Sequence, residues 1–227
     1  MSQSTDVVDV YYGFVNQPWS STVWRKQLQR LPQLVQNKVL RFCRWQDQHM
    51  ALLGKLLLLE AMMAQGQSED CLERLEVDEM DRPFIAGAAD FNISHSGGAV
   101  VCAVSYHAKV GIDIELLRWL KPDNFTLCMT LQQIESFHLA ADPAKALLEM
   151  WVAKESVAKA CGVGLGTDFR KMICSAESIT LNKNLYHLHH LSLASTYLCC
   201  VATPMAQCQI QLHPCCTVDD LIVKSVD

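Results

Sequence analysis

Two carboxylate side chains stand two positions apart in residues 110–115, whose sequence is VGIDIE. Alternate side chains of a β-strand share a face, so Asp113 and Glu115 point the same way while the isoleucines beside them enter a core. Adjacent carboxylates repel each other, and a hard cation such as Mg²⁺ relieves this because it takes oxygen ligands. Two interpretations are therefore open: a metal site, or the solvated acidic face of a half-exposed strand.

A glutamate and a lysine stand four positions apart in residues 151–159, WVAKESVAK, on a predicted helix. At this spacing Glu155 and Lys159 are neighbours on one helix face. One interpretation is an exposed ion pair worth about 0.2–0.5 kcal/mol. The other makes Glu155 a third metal ligand and Lys159 a phosphate contact.

A small polar turn, SHSGG at residues 94–98, follows a predicted strand. Small residues let the backbone approach a ligand closely. His95 is able to donate a hydrogen bond to a phosphate oxygen, although a lone histidine in a turn also fits a purely structural role. The turn is therefore a candidate binding loop and not yet a site.

The secondary structure that positions these residues follows from the hydrophobic pattern. Strands are predicted over residues 7–15, 91–94, 99–105 and 110–117, helices from Pro32 and over 46–64, 122–140 and 143–161, and antiparallel strands within 175–212. Gly162 is a helix stop. The order of strand, helices and strands occurs twice, which indicates two α+β halves, residues 1–106 and 107–227, with a ligand site between them.

Composition limits the classes of protein that remain. Half of the 227 residues are apolar, which is enough for a large core, and the formal net charge of −5 does not favour nucleic-acid binding. No uninterrupted apolar run reaches the roughly 18 residues of a membrane span. The N-terminus, MSQSTDVVDV, does not resemble a secretory leader. Eleven cysteines without a C-x-x-C spacing suit buried thiols in a reducing compartment, so we expect a cytoplasmic protein.

Three segments in this order resemble the Sfp-type 4′-phosphopantetheinyl transferase family: FNISHSG at 91–97, VGIDIE at 110–115 and WVAKESVAKACGVGL at 151–165. A looser similarity covers nearly the whole chain. The resemblance implies an α+β fold, with two similar α/β subdomains in a pseudo-twofold arrangement and coenzyme A in the cleft between them. It implies transfer of 4′-phosphopantetheine from coenzyme A to a serine of an apo acyl or peptidyl carrier protein, with release of 3′,5′-ADP.

The resemblance also implies a metal centre and a base. Its ligands for Mg²⁺ would be Asp113, Glu115 and Glu155 in the C-terminal subdomain, and Mn²⁺ fits the same oxygen donors. Glu155 is the candidate base for the serine proton, directly or through a metal-bound water. By the same comparison, Lys159 would meet the pyrophosphate and take part in catalysis.

Further phosphate contacts come from the same resemblance, with two departures. Ser94 and His95 would hold the 3′-phosphate end of coenzyme A, and Lys38 matches a basic position near the nucleotide phosphates. The family usually has Gly-Lys-Pro before the NISHS segment, whereas this chain has Asp-Arg-Pro, so Arg82 replaces a lysine. A usual arginine falls on Met50, so part of the nucleotide contact is either missing or supplied by a nearby basic residue: Arg41, Arg44 or Lys55.

Gln133 occupies a position where relatives often have a glutamate, so that glutamate is either dispensable or replaced by Glu135. The acceptor is expected to dock near residues 119–129, whose apolar side chains fit either a surface or a core: Trp119, Phe125, Leu127 and Met129. We expect a monomer with no nucleic-acid or membrane partner. Two other functions fit the same residues, namely a binding module without catalysis and a metal-dependent phosphohydrolase.

Overall fold

The computed structural model describes residues 6–163 and 166–215. Its first elements are β1 (Asp6–Phe14), α1 (Ser21–Gln29), α2 (Gln33–Leu40), α3 (Trp45–Ala64), β2 (Leu75–Val77), β3 (Pro83–Ile85), β4 (Asp90–Ser96) and β5 (Ala99–Ser105). The chain continues with β6 (Gly111–Leu116), α4 (Leu131–His138), α5 (Pro143–Cys161), β7 (Ile173–Cys174), β8 (Ser178–Leu181), β9 (Asn184–Leu191), β10 (Tyr197–Thr203) and β11 (Cys208–Pro214). The predicted α+β class is confirmed.

The strands form two main sheets. The first has the order β11-β1-β5-β4, the second has the order β6-β10-β9-β8-β7, and β2 pairs with β3 in a small hairpin. Strand β11 runs parallel to β1, so the last described strand joins the sheet of the N-terminal half. The chain therefore crosses back over the boundary predicted at residues 106/107, and that boundary stays a prediction.

Each half follows one plan, a sheet with a long helix against one face. Helix α3 packs on β1, β4 and β5, and α5 packs on β6, β8 and β10. Eleven of the 20 residues of α3 are buried, because α1 and α2 cover the side that faces away from the sheet. The opposite faces of the two sheets meet in a shared apolar core that includes Val8, Val10, Val101, Ile112 and Val201.

The prediction of one helix over residues 122–140 is wrong. A 3₁₀ turn, Pro122–Phe125, precedes a separate helix that begins after Thr130. Thr130 Oγ1 accepts a hydrogen bond from Gln133 N at 3.2 Å, and Gln133 Oε1 accepts one from Thr130 N at 3.0 Å. This capping box starts a new helix from an extended residue. The sequence prediction also missed α1, which Ser20 caps, and the short strands β2 and β3.

Capping residues define the two ends of α5. Asp142 caps the start of α5, where its carboxylate accepts a hydrogen bond from Lys145 N at 3.0 Å, and the helix stops as predicted at Gly162, which has φ 76°. Within the described residues the cysteines form no disulfide bond. Cys216 and the predicted peripheral tail at residues 217–227 lie outside the described residues.

A histidine enclosed by tryptophans holds the start of α1 against α3. The His49 ring lies 5.2 Å from the Trp19 ring, 4.4 Å from Trp24 and 5.4 Å from Trp45. His49 Nε2 accepts a hydrogen bond from Trp19 N at 3.1 Å, so Nδ1 carries the proton and donates to Trp45 O at 2.7 Å. Both nitrogens are engaged only in the neutral ring, and burial lowers the pKa of His49.

We expect acid to weaken this cluster. Because the folded pKa lies below the ordinary value of 6.5, unfolded His49 binds more protons than folded His49 as pH falls through that value, and stability is lost. Urea midpoints of the wild type and His49→Phe, measured at about pH 7.5 and about pH 5, should show a smaller acid loss in the variant. Equal losses in both proteins would exclude His49 as a source of the pH dependence.

Candidate active site

Strands β4 and β6 lie side by side at the edges of the two sheets, and side chains join them. Alternate residues of β4 point towards β6, whereas Phe91 and Ile93 face the core under α3. Four N–H groups of β6 and the residue before it donate to side-chain oxygens of β4: Val110 to Asp90 at 2.8 Å, Ile112 to Asn92 at 3.0 Å, Ile114 to Ser94 at 3.4 Å and Leu116 to Ser96 at 3.2 Å. We call this row of contacts between β4 and β6 the seam. It places the hydroxyl groups of β4 next to the carboxylates of β6.

Both β6 carboxylates accept a hydroxyl from the seam. Ser94 Oγ donates to Asp113 Oδ1 at 2.8 Å, and Ser96 Oγ donates to Glu115 Oε2 at 2.7 Å. The Asp113 side chain is 7% exposed and that of Glu115 is 19% exposed. The acidic pair does share one face, as the sequence predicts, but that face is largely buried. The interpretation as a solvated acidic strand is therefore wrong.

Lys159 crosses from α5 to this seam. Its Nζ donates to Asp113 Oδ1 at 2.5 Å and to Ser94 Oγ at 3.1 Å. An ammonium group has three N–H donors, so one remains for a further acceptor. Asp113 Oδ2 is buried without a hydrogen-bond partner. Lys159 thus pairs with the strand, and the exposed ion pair with Glu155 that spacing allowed does not form.

Glu155 faces the same region from α5 and is 8% exposed. Among the described residues, no hydrogen bond or ion pair reaches its carboxylate. Burial raises the pKa of Glu155, while Lys159 opposes the rise and the negative charges of Asp113 and Glu115 add to it. A carboxylate with a raised pKa is a stronger proton acceptor than a surface glutamate.

Close contact between α5 and β6 brings these groups together. Gly111 starts β6, and a Cβ at this position would collide with the carbonyl oxygen of Ser156 and with the backbone of Ala160. Only glycine allows this approach. It places Glu155 and Lys159 beside the strand that carries Asp113.

Most of the predicted site residues line one cavity of about 470 Å³. Its lining includes six of the eight predicted residues: Ser94, His95, Asp113, Glu115, Glu155 and Lys159. Ile93, Ile114, Trp151 and Ala158 complete the wall. Burial and the charge of Lys159 lower the pKa of His95, which keeps its imidazole neutral near neutral pH. The roles of these six residues stay predictions, whereas their shared location is a finding.

Arg82 lies outside the lining of this cavity and joins three elements. Its Nη2 donates to Asp90 Oδ2 at 2.7 Å, Val110 O at 3.0 Å and Phe91 O at 3.3 Å, and its Nη1 donates to Lys159 O. The side chain is only 7% exposed. Arg82 therefore ties β4 and the start of β6 to the turn of α5 that carries Lys159. Its predicted phosphate contact stays a prediction.

The predicted nucleotide contacts lie on the N-terminal half. Lys38 is exposed in the last turn of α2 and does not line the cavity. Met50 is buried on α3 and belongs to the core there. Of the proposed replacements for the usual arginine, Arg41 and Arg44 are exposed, whereas Lys55 is half-buried and burial lowers its pKa.

Sequence reasoning missed Lys154, which is fully buried next to Glu155. Its Nζ donates to Cys128 O at 3.1 Å, Gln133 Oε1 at 2.9 Å and Phe169 O at 3.0 Å. A signal was present, because the residues three and four positions away on the helix are all apolar and offer no carboxylate. Among these three acceptors, Gln133 supplies the side-chain oxygen.

The carboxylates suit a hard cation by their chemistry. In residues 6–163 and 166–215, no three His, Cys, Asp or Glu side chains are already arranged to hold a metal ion. Asp113 Oδ2 is nonetheless a buried carboxylate oxygen without a donor, and Asp113 and Glu115 raise the pKa of Glu155. A carboxylate oxygen without a donor, close to two further carboxylates, is the kind of ligand that Mg²⁺ takes. The three residues fit the ion, and the metal site stays a prediction.

A larger cavity of about 810 Å³ lies under the N-terminal half of α5, against β8, β9 and β10. It contains none of the predicted site residues. The smaller cavity is therefore the candidate active site, because the carboxylates and Lys159 converge there.

In the part of the chain that the structure describes, no helix is both long enough and apolar enough to cross a membrane.

Comparison with known proteins identifies two adjoining family regions. A family model described as the 4′-phosphopantetheinyl transferase superfamily matches residues 109–202. A second, described as the N-terminal region of 4′-phosphopantetheinyl transferase, matches residues 17–107. The two regions divide the chain near the predicted boundary and together contain the seam, α5 and the cavity.

Curated relatives agree with these matches. The chain is 32% identical over 136 residues to 4′-phosphopantetheinyl transferase gsp of Aneurinibacillus migulanus, a match that spans 57% of this chain and only 55% of the relative. It is 29% identical over 163 residues to 4′-phosphopantetheinyl transferase Sfp of Bacillus subtilis strain 168, over 69% of this chain and 71% of the relative. The family resemblance seen in the sequence is confirmed. This chain belongs to the 4′-phosphopantetheinyl transferase superfamily, a family of transferase enzymes.

Proposed function

We propose that this protein transfers 4′-phosphopantetheine from coenzyme A to the serine hydroxyl of an apo acyl or peptidyl carrier protein. The reaction depends on Mg²⁺, with Mn²⁺ as an alternative ion, and releases 3′,5′-ADP. The observation that supports it most is the convergence of Asp113, Glu115, Glu155 and Lys159 on one cavity at the seam between the halves. Family membership supplies the reaction class.

Glu155 is the proposed base. The serine oxygen forms a bond to the phosphorus on the pantetheine side of the pyrophosphate, and the bond from that phosphorus to the bridging oxygen breaks. The electron pair leaves with 3′,5′-ADP, and the serine proton passes to Glu155 directly or through a water. No competing hydrogen bond reaches its carboxylate within the described residues, which leaves its oxygens available for this role.

Basic and polar groups along the seam bind the substrate phosphates in this proposal. Lys159 offers its remaining N–H donor to the pyrophosphate while it holds Asp113. Ser94 and His95 lie on the β4 side for the 3′-phosphate end. Lys38 and Arg82 contribute positive charge from outside the cavity lining. Fixed charges of this kind act on phosphoryl transfer mainly through positioning and electrostatics.

The carboxylates proposed to hold the metal are Asp113, Glu115 and Glu155. When bound, Mg²⁺ supplies Lewis-acid neutralisation of pyrophosphate charge. The seam serines keep two of these carboxylates oriented, because each donates a hydroxyl hydrogen bond to one of them.

A transfer assay tests the proposal. The purified chain is incubated with coenzyme A, Mg²⁺ and a panel of apo carrier proteins, and intact-protein mass spectrometry follows the acceptors. The expected result is one added phosphopantetheine group per carrier. No addition on any carrier would favour a binding module. Release of phosphopantetheine at the same rate without an acceptor would favour a phosphohydrolase.

Removal of Lys159 should impair transfer strongly. We expect Lys159→Ala to lower kcat/KM by about 100-fold, because the variant loses a phosphate contact and leaves buried Asp113 without its cation. Steady-state kinetics measures the effect, and thermal unfolding checks that the variant is folded at the assay temperature. Lys145→Ala is the matched control, since Lys145 is exposed on the same helix. An unchanged rate in Lys159→Ala would remove this lysine from the site.

The acceptor is proposed to dock on exposed apolar side chains near the cavity. Trp119 is 75% exposed and Leu127 is 81% exposed, whereas Met129 is buried and Phe125 half-buried. Trp119 and Leu127 are therefore the exposed candidates for this surface, and Met129 belongs to a core. We also propose that the protein acts as a cytoplasmic monomer. A stable dimer in sedimentation experiments at micromolar protein concentration would contradict the monomer.

A further inference from the structure

A buried ammonium group joins the helix of Glu155 to the segment that precedes α4. Lys154 is completely buried, and its three hydrogen bonds use all three N–H donors. The acceptors come from three separate places: the turn at Cys128, the first turn of α4 at Gln133 and the 3₁₀ turn at Phe169. One side chain of α5 thereby fixes where these segments lie.

The segment held in this way carries the exposed apolar surface. Leu127 is 81% exposed and Leu131 is 76% exposed, while Met129 between them is 1% exposed and packs with α5 residues. Lys154 Nζ donates to Cys128 O, next to Leu127, and to Gln133 Oε1, two residues after Leu131. The segment with the exposed leucines is therefore held against α5 by Met129 and by the hydrogen bonds of Lys154.

We propose that Lys154 is a positioning residue that sets the acceptor-docking surface at a fixed place relative to Glu155, and that it acts through Gln133. This inference rests on the proposed function. Lys154 and Glu155 are consecutive on one rigid helix, so a surface tied to the first is held in register with the second. A serine delivered by the carrier must reach Glu155 within hydrogen-bond range, and small displacements of the docking surface weaken productive binding.

The link between Lys154 and the start of α4 depends on one amide oxygen. Gln133 Oε1 accepts from Lys154 Nζ at 2.9 Å and from Thr130 N at 3.0 Å. It therefore links the buried lysine to the residue that starts α4. Thr130 Oγ1 forms the other half of the capping box and makes no contact with Lys154. The two hydrogen bonds of the capping box can be removed by separate substitutions. Comparison of the two variants therefore distinguishes an effect on positioning from an effect on helix stability.

The test compares steady-state kinetics of four variants, with the carrier and coenzyme A varied in turn. Gln133→Met keeps the length of the side chain but removes the oxygen, and we expect its KM for the carrier to rise about three- to tenfold. Its kcat and its KM for coenzyme A should stay near wild type. Gln133→Glu retains an acceptor oxygen and should restore the wild-type KM. Leu127→Ala, at the proposed surface, should raise the carrier KM as well.

Thr130→Val is the matched control, because it breaks the other half of the capping box and leaves the Lys154 contact intact. Its carrier KM should equal that of the wild type. Equal rises in Thr130→Val and Gln133→Met would overturn the inference, since helix stability alone would explain them. Unchanged carrier KM in Gln133→Met or in Leu127→Ala would also overturn it. A wild-type protein without transfer activity would instead refute the proposed function itself.

Discussion

Glu155→Gln should reduce transfer to carrier protein by about 10³-fold or more while the protein stays folded. The substitution keeps the shape of the side chain but removes the proposed proton acceptor and one negative oxygen donor. Burial already raises the pKa of Glu155, with Asp113 and Glu115 adding to the rise, so loss of the charge should leave stability unchanged or slightly higher. Single-turnover mass spectrometry and thermal unfolding measure the two effects.

The matched control for this experiment lies on the same helix. Glu149 is exposed and pairs with Lys145 at 3.8 Å, away from the cavity that Glu155 lines. Glu149→Gln should transfer at the wild-type rate. Full activity in Glu155→Gln, or equal loss in both variants, would contradict the assignment of Glu155 as base.

The second large effect is expected at Asp113. Asp113→Asn should nearly abolish transfer and lower Mn²⁺ affinity at least about tenfold, because its buried Oδ2 has no other partner and would lose its charge. Electron paramagnetic resonance of Mn²⁺ in the presence of coenzyme A measures the affinity without relying on turnover. The hydroxyl of Ser94 can still donate to the retained amide oxygen, which should preserve the fold.

An exposed aspartate provides the comparison for this variant. Asp123 is 70% exposed and pairs with His138 at 3.1 Å. Asp123→Asn should bind Mn²⁺ as the wild type does. If Asp113→Asn kept both its Mn²⁺ affinity and its transfer rate, the metal would have to bind elsewhere and the site would need a new assignment.

Local patterns predicted the elements that carry the chemistry. The alternation in residues 110–115 gave the correct shared face for Asp113 and Glu115, and the end of α5 at Gly162 was also correct. These succeed because strand alternation and helix termination depend on neighbouring residues. The break between Pro122–Phe125 and α4 was missed, since the capping box at Thr130 interrupts an otherwise continuous helical pattern. Parallel pairing of β11 with β1 links residues about 200 positions apart, which no local pattern reports.

The polar contacts of the site were harder to predict. Alternating polar residues on a strand usually indicate a solvated face, but in β4 they bind the backbone and carboxylates of β6. Arg82 and Lys154 are buried charged residues whose partners come from distant segments. Charged side chains of this kind are seldom buried unless paired, and pairing is a property of the tertiary structure. Sequence therefore predicted six of the residues that line one cavity, but not the hydrogen bonds that hold them.

A crystal structure of the protein with coenzyme A and Mn²⁺, with data collected for anomalous scattering, tests the central claim most directly. We predict an anomalous peak bound by carboxylate oxygens of Asp113, Glu115 and Glu155, in contact with the coenzyme A pyrophosphate. A peak away from these residues, or coenzyme A bound with its pyrophosphate outside this cavity, would contradict the account.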